Sequence, residues 1–221
     1  MRLRRNFAAI ALGMSLVSLA TVSPSQAADP DLSPRSGSWF TQFGPVIINF
    51  RGKSEVSVNG TPAPGVQATP NDDLTVSYSI GYNFTPNIST QLVLGVTPDT
   101  SVTNGAGVLL GRMTYGAPSV VFDYRLTNLG AFQPFAGIGA TYIWVRDETD
   151  GALSNLKVDS AFGLILRAGA EVMMTKNVGL YFAANRFFVD TEASGYLGAA
   201  RVDAKLDLDP WLFRGGMTYR F

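Results

Sequence analysis

Two residue types are missing from this chain of 221 residues, which has neither cysteine nor histidine. Without cysteine the chain forms no disulfide and carries out no thiolate chemistry. Without histidine it lacks the side chain that most often acts as a general base and as a transition-metal ligand. A serine–histidine hydrolase site is therefore excluded. The composition predicts no enzymatic activity, no cofactor and no metal site.

The chain also lacks an excess of charge of either sign, with 17 basic and 17 acidic residues. Three of its first five residues are arginine, and an apolar run follows over 7–22. Small residues come next at Ser25-Gln26-Ala27, so we expect 1–27 to be a secretory signal peptide that is cleaved on export. Loss of those three arginines would leave 14 basic against 17 acidic residues. That balance predicts no binding to nucleic acid.

Long apolar runs are missing from the rest of the chain. The run over 7–22 is short for a membrane-spanning helix, which needs about 20 residues. No later segment reaches the roughly 18 apolar residues that would suggest one. A chain that crosses a membrane without such helices must form a closed β-barrel, because lipid offers backbone polar groups no hydrogen-bond partner.

What the sequence does contain is two-residue alternation. In 211–221, aromatic and other apolar residues or glycine occupy every second position, while Arg214 and Arg220 lie on the opposite parity. Eleven residues is about the length of a tilted membrane-spanning strand. The same alternation runs through 74–84, 119–126 and 161–172. We predict eight strands, near residues 39–51, 74–84, 88–97, 113–126, 133–146, 159–174, 178–191 and 201–221.

The connections between these segments alternate between long and short. The long ones are roughly 52–73, 98–113, 147–158 and 192–203, and the short ones are 85–87, 127–132 and 175–177. Short periplasmic turns and long extracellular loops are typical of Gram-negative outer-membrane barrels. The sequence therefore predicts an all-β fold in which 28–221 form an eight-stranded antiparallel up-and-down transmembrane β-barrel. The pair Asn59-Gly60 predicts a small hairpin in the first long loop.

A soluble lipocalin-like barrel is the alternative, and its apolar face would point inward. The distribution of aromatic residues opposes it. They cluster near strand ends on the apolar face, as do the aromatic girdles at the two membrane interfaces. The predicted girdle consists of Trp39, Tyr78, Tyr82, Tyr124, Tyr142, Trp144, Trp211, Tyr219 and Phe221.

Several short motifs, in this order and spacing, are similar to those of one known family. They are Trp39–Pro45, Asn59-Gly60, Phe84–Asn87, Asp123–Arg125, Gln133–Tyr142, Arg167–Glu171, Thr175–Asn177, Asp209–Trp211 and Tyr219–Phe221. The chain resembles the outer membrane protein W (OmpW) family over nearly all of 38–221. The resemblance implies an eight-stranded outer-membrane barrel linked to uptake of small hydrophobic compounds. The loop 98–113 departs from the family because it is brief and rich in glycine.

The partners expected of such a barrel follow from its place in the membrane. They are outer-membrane lipid, lipopolysaccharide, small hydrophobic ligands and the barrel-assembly machinery, which would engage the C-terminal strand ending at Phe221. The alternative function is a structural or adhesion barrel that acts through its extracellular loops and whose interior is merely packed.

The inward-facing positions of the predicted strands divide into two groups. The polar group, which we call the floor, lies toward the short turns and comprises Gln42, Gln91, Asp123, Arg125, Arg167, Glu171, Arg214 and Arg220. The apolar group, which we call the mouth, comprises Val46, Ile48, Phe50, Ile143, Ile165, Leu206, Leu208 and Leu212. The floor either braces a narrow barrel or diverts a ligand sideways. The mouth is either a site for a hydrophobic molecule or an ordinary packed core.

One predicted strand does not fit the alternation. In 180–190 the neighbours Asn185 and Arg186 point to opposite faces, so one polar side chain would face lipid. A lipid-facing arginine at the middle of the membrane costs about 2–4 kcal/mol. We expect either a bulge at this point or a position near the rim of the barrel.

Overall fold

The computed structural model describes residues 31–50, 53–63, 68–97, 99–104 and 108–221. The signal peptide predicted over 1–27 lies outside these residues. Every regular element in the described ranges is a β-strand. None of the described segments is a helix long and apolar enough to cross a membrane.

The described part of the chain contains sixteen strands. In chain order they are β1 Ser38–Asn49, β2 Lys53–Val58, β3 Thr61–Pro62, β4 Ala68–Pro70, β5 Asp73–Asn83, β6 Ile88–Gly95, β7 Asp99–Asn104, β8 Leu109–Gly116, β9 Ser119–Arg125, β10 Phe132–Asp150, β11 Ser154–Val158, β12 Ala161–Met173, β13 Val178–Phe188, β14 Asp190–Leu197, β15 Ala200–Asp207 and β16 Trp211–Arg220.

Eight of these strands close into an antiparallel barrel. The order around the wall is β12, β13, β16, β1, β5, β6, β9 and β10, and pairing of β10 with β12 completes the circle. The first and last strands pair with each other over Phe40↔Arg220 to Asn49↔Trp211. The predicted fold class, an eight-stranded antiparallel barrel, is confirmed.

The outer surface of the barrel is apolar and the interior is partly polar. Leu74 and Phe162 are 73% and 79% exposed, and large apolar side chains are exposed on the outer face of all eight strands. A soluble lipocalin-like barrel has the opposite arrangement, so that alternative is rejected. Seven of the nine predicted girdle residues are exposed, and Tyr82 and Trp144 are half-buried.

Two of the short turns have the same construction. The Thr85 hydroxyl accepts hydrogen bonds from the backbone N–H groups of Asn87 and Ile88. Thr175 does the same for Asn177 and Val178. The asparagine amides of both turns donate to a carbonyl of a neighbouring strand, that of Arg125 or that of Arg220. The Thr-x-Asn sequence therefore both closes the turn and ties it to the barrel wall.

The long connections are largely built of further strands, which the sequence did not predict. Strands β11, β14, β15, β2 and β3 form one sheet, and β8, β7 and β4 continue the wall from the upper part of β10. We call these strands and the upper part of β10 the extension. The predicted hairpin is present, because Asn59 and Gly60 have φ values of 47° and 77° and connect Val58 to its partner Thr61.

Three single strands predicted from the sequence each span two strands in the structure: 178–191 is divided at Val189, and the other two are divided next to a proline. The segment 113–126 is divided at Ala117-Pro118, and 201–221 is divided at Leu208–Pro210. Proline has no N–H and so interrupts a hydrogen-bond ladder. The register is the same on both sides of each break, as the pairs Gly116↔Trp144 and Ser119↔Thr141 show. Each proline therefore marks the point where barrel wall becomes extension.

The seam between β1 and β16 contains a close approach of two backbones. Residue pairing between β1 and β16 stops at Phe43↔Met217 and resumes at Val46↔Arg214. A Cβ atom added to Gly44 would collide with the Gly215 carbonyl, and one added to Gly216 would collide with the Phe43 carbonyl. Closure of the barrel at this point depends on residues without side chains.

Candidate ligand cavity and its charged floor

The structure places all eight predicted floor residues inside the barrel. Each is at most 4% exposed. They occupy inward positions on β1, β6, β9, β12 and β16, because alternate residues of a strand face the same side. The sequence therefore predicted their location from parity alone.

Glu171 is the centre of the lower part of the floor. Its carboxylate accepts hydrogen bonds from Arg125 at 3.1 Å, Arg220 at 2.5 Å and the Gln42 amide at 2.9 Å. Arg125 also donates to the Asn83 side-chain oxygen at 3.3 Å. One buried carboxylate thus pairs with two arginines, in the charge-assisted geometry that makes such bonds strong.

The upper part of the floor is less completely paired. Asp123 accepts a hydrogen bond from Gln91 at 2.8 Å, and Arg167 Nε lies 3.4 Å from its other oxygen. Arg214 donates from Nε to the Ser77 hydroxyl at 3.0 Å and lies over the Tyr181 ring. Among the described residues, no carboxylate is within ion-pair distance of Arg214.

The structure adds residues to the floor that the sequence interpretation missed. Gln133 accepts from Arg220 at 2.7 Å, and the Leu32 carbonyl accepts from both Arg220 and Gln133. The segment before β1 therefore closes the short-turn end of the barrel, with Pro34 buried. Gln133 has inward parity and could have been found, whereas nothing in the sequence around Leu32 indicated a backbone contact.

A cavity of about 100 Å³ lies directly above the floor. All eight predicted mouth residues line it, and six of them are at most 7% exposed. Its wall is completed by residues that were not predicted: Tyr115 of β8, Val121 of β9, Phe187 of β13 and Val189. Strands of the extension contribute to the lining, so the cavity extends beyond the barrel wall. Its surface is almost entirely apolar.

Tyr115 is one of the residues with a polar atom in the lining of this cavity. It belongs to β8 in the extension and is buried. Burial raises the pKa of its phenol above the usual range. The hydroxyl therefore stays uncharged at neutral pH, and the lining carries no phenolate.

The structure shows to which side of the barrel wall Asn185 and Arg186 point, and strand β13 has no bulge at these residues. Pairing of β13 runs continuously to Arg186↔Trp211 on one side and to Leu164↔Phe188 on the other. Asn185 points inward and donates to the Leu212 carbonyl. Arg186 points outward at the rim, where it pairs with Asp209 at 2.8 Å and lies over Phe188 and Trp211. The expected rim position is therefore correct, and the carboxylate offsets the charge.

Together these features define a class of protein. A closed eight-stranded barrel with an apolar outer face, an apolar cavity and a charged floor is a small transmembrane β-barrel. The OmpW family model matches residues 35–221, so the chain belongs to the OmpW family, as the motifs predicted. It is an outer-membrane protein of a Gram-negative bacterium, and its barrel lies in membrane lipid.

Comparison with individual proteins agrees with this assignment. The chain is 30% identical to outer-membrane protein y4mB of Sinorhizobium fredii over 200 residues, covering 87% of this chain and 86% of that one. It is 29% identical to dibenzothiophene metabolism operon protein PahQ of Pseudomonas aeruginosa, covering 79% and 84%. The crystal structure of OprG from Pseudomonas aeruginosa has the same fold, with a TM-score of 0.80 at 22% identity over 86% and 98% of the chains.

Proposed function

We propose that this barrel admits small hydrophobic molecules through its mouth and passes them into or across the outer membrane, without a chemical step. The observation that carries the proposal is the apolar cavity directly above the floor. A water-filled passage for ions would not need an apolar lining, whereas a site for a hydrophobic molecule would. The name of PahQ associates that relative with the metabolism of dibenzothiophene, and this association also supports a hydrophobic ligand.

The size and chemistry of the cavity limit what it can take. An engineered apolar cavity of about 150 Å³ in another protein holds one benzene molecule. The cavity here is smaller, at about 100 Å³, so it takes at most a single ring or a short chain. Each square ångström of apolar surface removed from water contributes about 25 cal/mol, so even such a small molecule gains a few kcal/mol.

The charged floor affects the route by which a bound molecule can leave the cavity. Six charged and two amide side chains, all buried, fill the barrel below the cavity. An uncharged apolar molecule would have to separate buried ion pairs in order to move along the axis, and breaking such a pair costs about 3–5 kcal/mol. This cost favours delivery into the lipid over passage along the barrel axis.

The test is uptake of a labelled apolar aromatic compound by proteoliposomes. We expect the protein to accelerate uptake over protein-free vesicles without a matching ion conductance. The double variant Ile48→Asp, Leu208→Asp should abolish the acceleration, because two carboxylates would then face the cavity. Leu197→Asp is the matched control, since Leu197 is exposed at the end of β14 and should behave as wild type.

The alternative is a structural or adhesion barrel that acts through the extension. It is favoured by the fact that the extension has a hydrophobic core of its own. This core consists of Val102, Met113, Leu156 and Val158. Uptake no faster than in protein-free vesicles would reject the transport proposal and leave this one. We further propose lipopolysaccharide as the lipid around the extension and the assembly machinery as the receptor of the strand ending at Phe221.

A further inference from the structure

The charges inside the barrel do not balance. Among the described residues, the buried charged side chains are four arginines and two carboxylates. Glu171 contacts Arg125 and Arg220, and Asp123 contacts Arg167. Among the described residues, Arg214 contacts the Ser77 hydroxyl and Tyr181, while Asp123 acts on it from beyond ion-pair distance. An unbalanced charge away from water is costly unless a counter-charge is available.

The two arginines of the upper floor also have hydrogen-bond donors without acceptors. None of the three side-chain nitrogens of Arg167 forms a hydrogen bond within the described part of the chain, although Nε lies 3.4 Å from Asp123. The Arg167 guanidinium lies 4.7 Å from the centre of the Phe135 ring. Nη2 of Arg214 likewise has no acceptor there. Both side chains are at least 96% buried.

These same two arginines are the only charged floor residues that line the cavity, as far as the structure describes it. They lie on the strands either side of β13: Arg167 is opposite Asn185, and Arg214 is opposite Ala183. Neighbouring strands are about 4.8 Å apart, so the two backbones are roughly 10 Å apart across the wall. Arginine side chains are long enough for both guanidinium groups to reach one ligand group between them.

We propose that the cavity binds small apolar carboxylates, with the apolar body against the mouth residues and the carboxylate on Arg167 and Arg214. The inference rests on the proposed function, since it concerns the same cavity, and it names a class of ligand. A planar carboxylate matches the two parallel N–H donors of a guanidinium group. Its negative charge also offsets part of the excess positive charge inside the barrel. Apart from these two arginines, the charged residue in the described lining is Asp159, an acid, so a second carboxylate on the ligand would find no positive partner there.

The size of the cavity restricts the proposal further. A volume of about 100 Å³ limits the apolar body of the acid to one aromatic ring or a short alkyl chain at most. Benzoate and benzyl alcohol form a suitable pair of probes, because they have the same ring and differ in charge. At pH 7 benzoate is ionised, since carboxyl groups titrate near pH 4.

The experiment measures binding of both probes to purified, folded protein in lipid nanodiscs, by calorimetry at pH 7. We expect wild type to bind benzoate about tenfold or more tightly than benzyl alcohol, because only benzoate brings a negative charge to the two buried arginines. Arg214→Met should remove most of that preference and change benzyl alcohol binding by less than about threefold. Arg201→Met is the control, because Arg201 is exposed on β15 and should change neither.

The outcomes separate this inference from the proposed function. Equal binding of the two probes to wild type would overturn the carboxylate assignment and leave a general apolar site, and this comparison needs no variant that must fold. An unchanged preference in folded Arg214→Met would also overturn it. Absence of binding by either probe would reject the cavity as a ligand site and with it the proposed function.

Discussion

Replacement of Glu171 by glutamine is expected to lower the free energy of unfolding by about 3–5 kcal/mol. The glutamine keeps the shape of the side chain but removes the negative charge that pairs with Arg125 and Arg220. Both arginines would remain buried, and solvent would not reach them without opening the floor. The measurement is equilibrium unfolding in guanidinium, followed by tryptophan fluorescence, with the protein in lipid vesicles.

Glu148→Gln provides the control for this prediction. Glu148 is an exposed residue of the extension, so the same chemical change there should alter stability by less than about 0.5 kcal/mol. Equal stability of Glu171→Gln and wild type would mean that the floor does not depend on its central carboxylate. The description of the floor as a tightly braced network would then be wrong.

Substitution of Gly44 by alanine should have an effect of similar size at the seam that closes the barrel. The added methyl group would meet backbone atoms of Gly215 and Gly216, which cannot move aside without separating β1 from β16. Forced overpacking typically costs about 1–3 kcal/mol, and we expect at least the upper end of that range here. Refolding yield and unfolding free energy should both fall.

The matched control is Gly95→Ala in β6. A Cβ atom at Gly95 would have no neighbour nearer than the Val76 carbonyl at 3.8 Å, an ordinary contact. Both substitutions place alanine in a barrel strand, so they differ chiefly in the space available. If Gly44→Ala were as stable as Gly95→Ala, the close approach at the seam would not be needed for closure.

The fold and the inward-facing residues could be predicted from the sequence because both follow from a period of two. Once strand parity is known, Glu171 and Ile165 must point to the same side of their strand, and both are buried as expected. The same reasoning applies to Val46 and Arg214, which the barrel seam places opposite each other. Local periodicity carries this information without knowledge of any long-range contact.

The breaks and the extension could not be predicted in the same way. Pro118 and Pro210 interrupt strands whose side-chain alternation continues beyond them, so periodicity alone joined each pair of strands into one. The neighbours also change at these points: β9 pairs with β6, whereas β8 pairs with β7. The contact of Arg220 with the Leu32 carbonyl joins residues 188 positions apart and involves an irregular segment, for which no sequence pattern exists.

The proposed function requires that the apolar cavity is the place where a hydrophobic molecule is held. The most direct measurement is a crystal structure of the protein with bromobenzene, in which anomalous scattering locates the bromine atom. We expect bromine between Ile48, Ile165 and Leu208, above Arg167 and Arg214. The Ile48→Asp, Leu208→Asp variant should show no bromine at this position. Bromine found only on the lipid-facing surface, with none in the cavity, would contradict the proposed function.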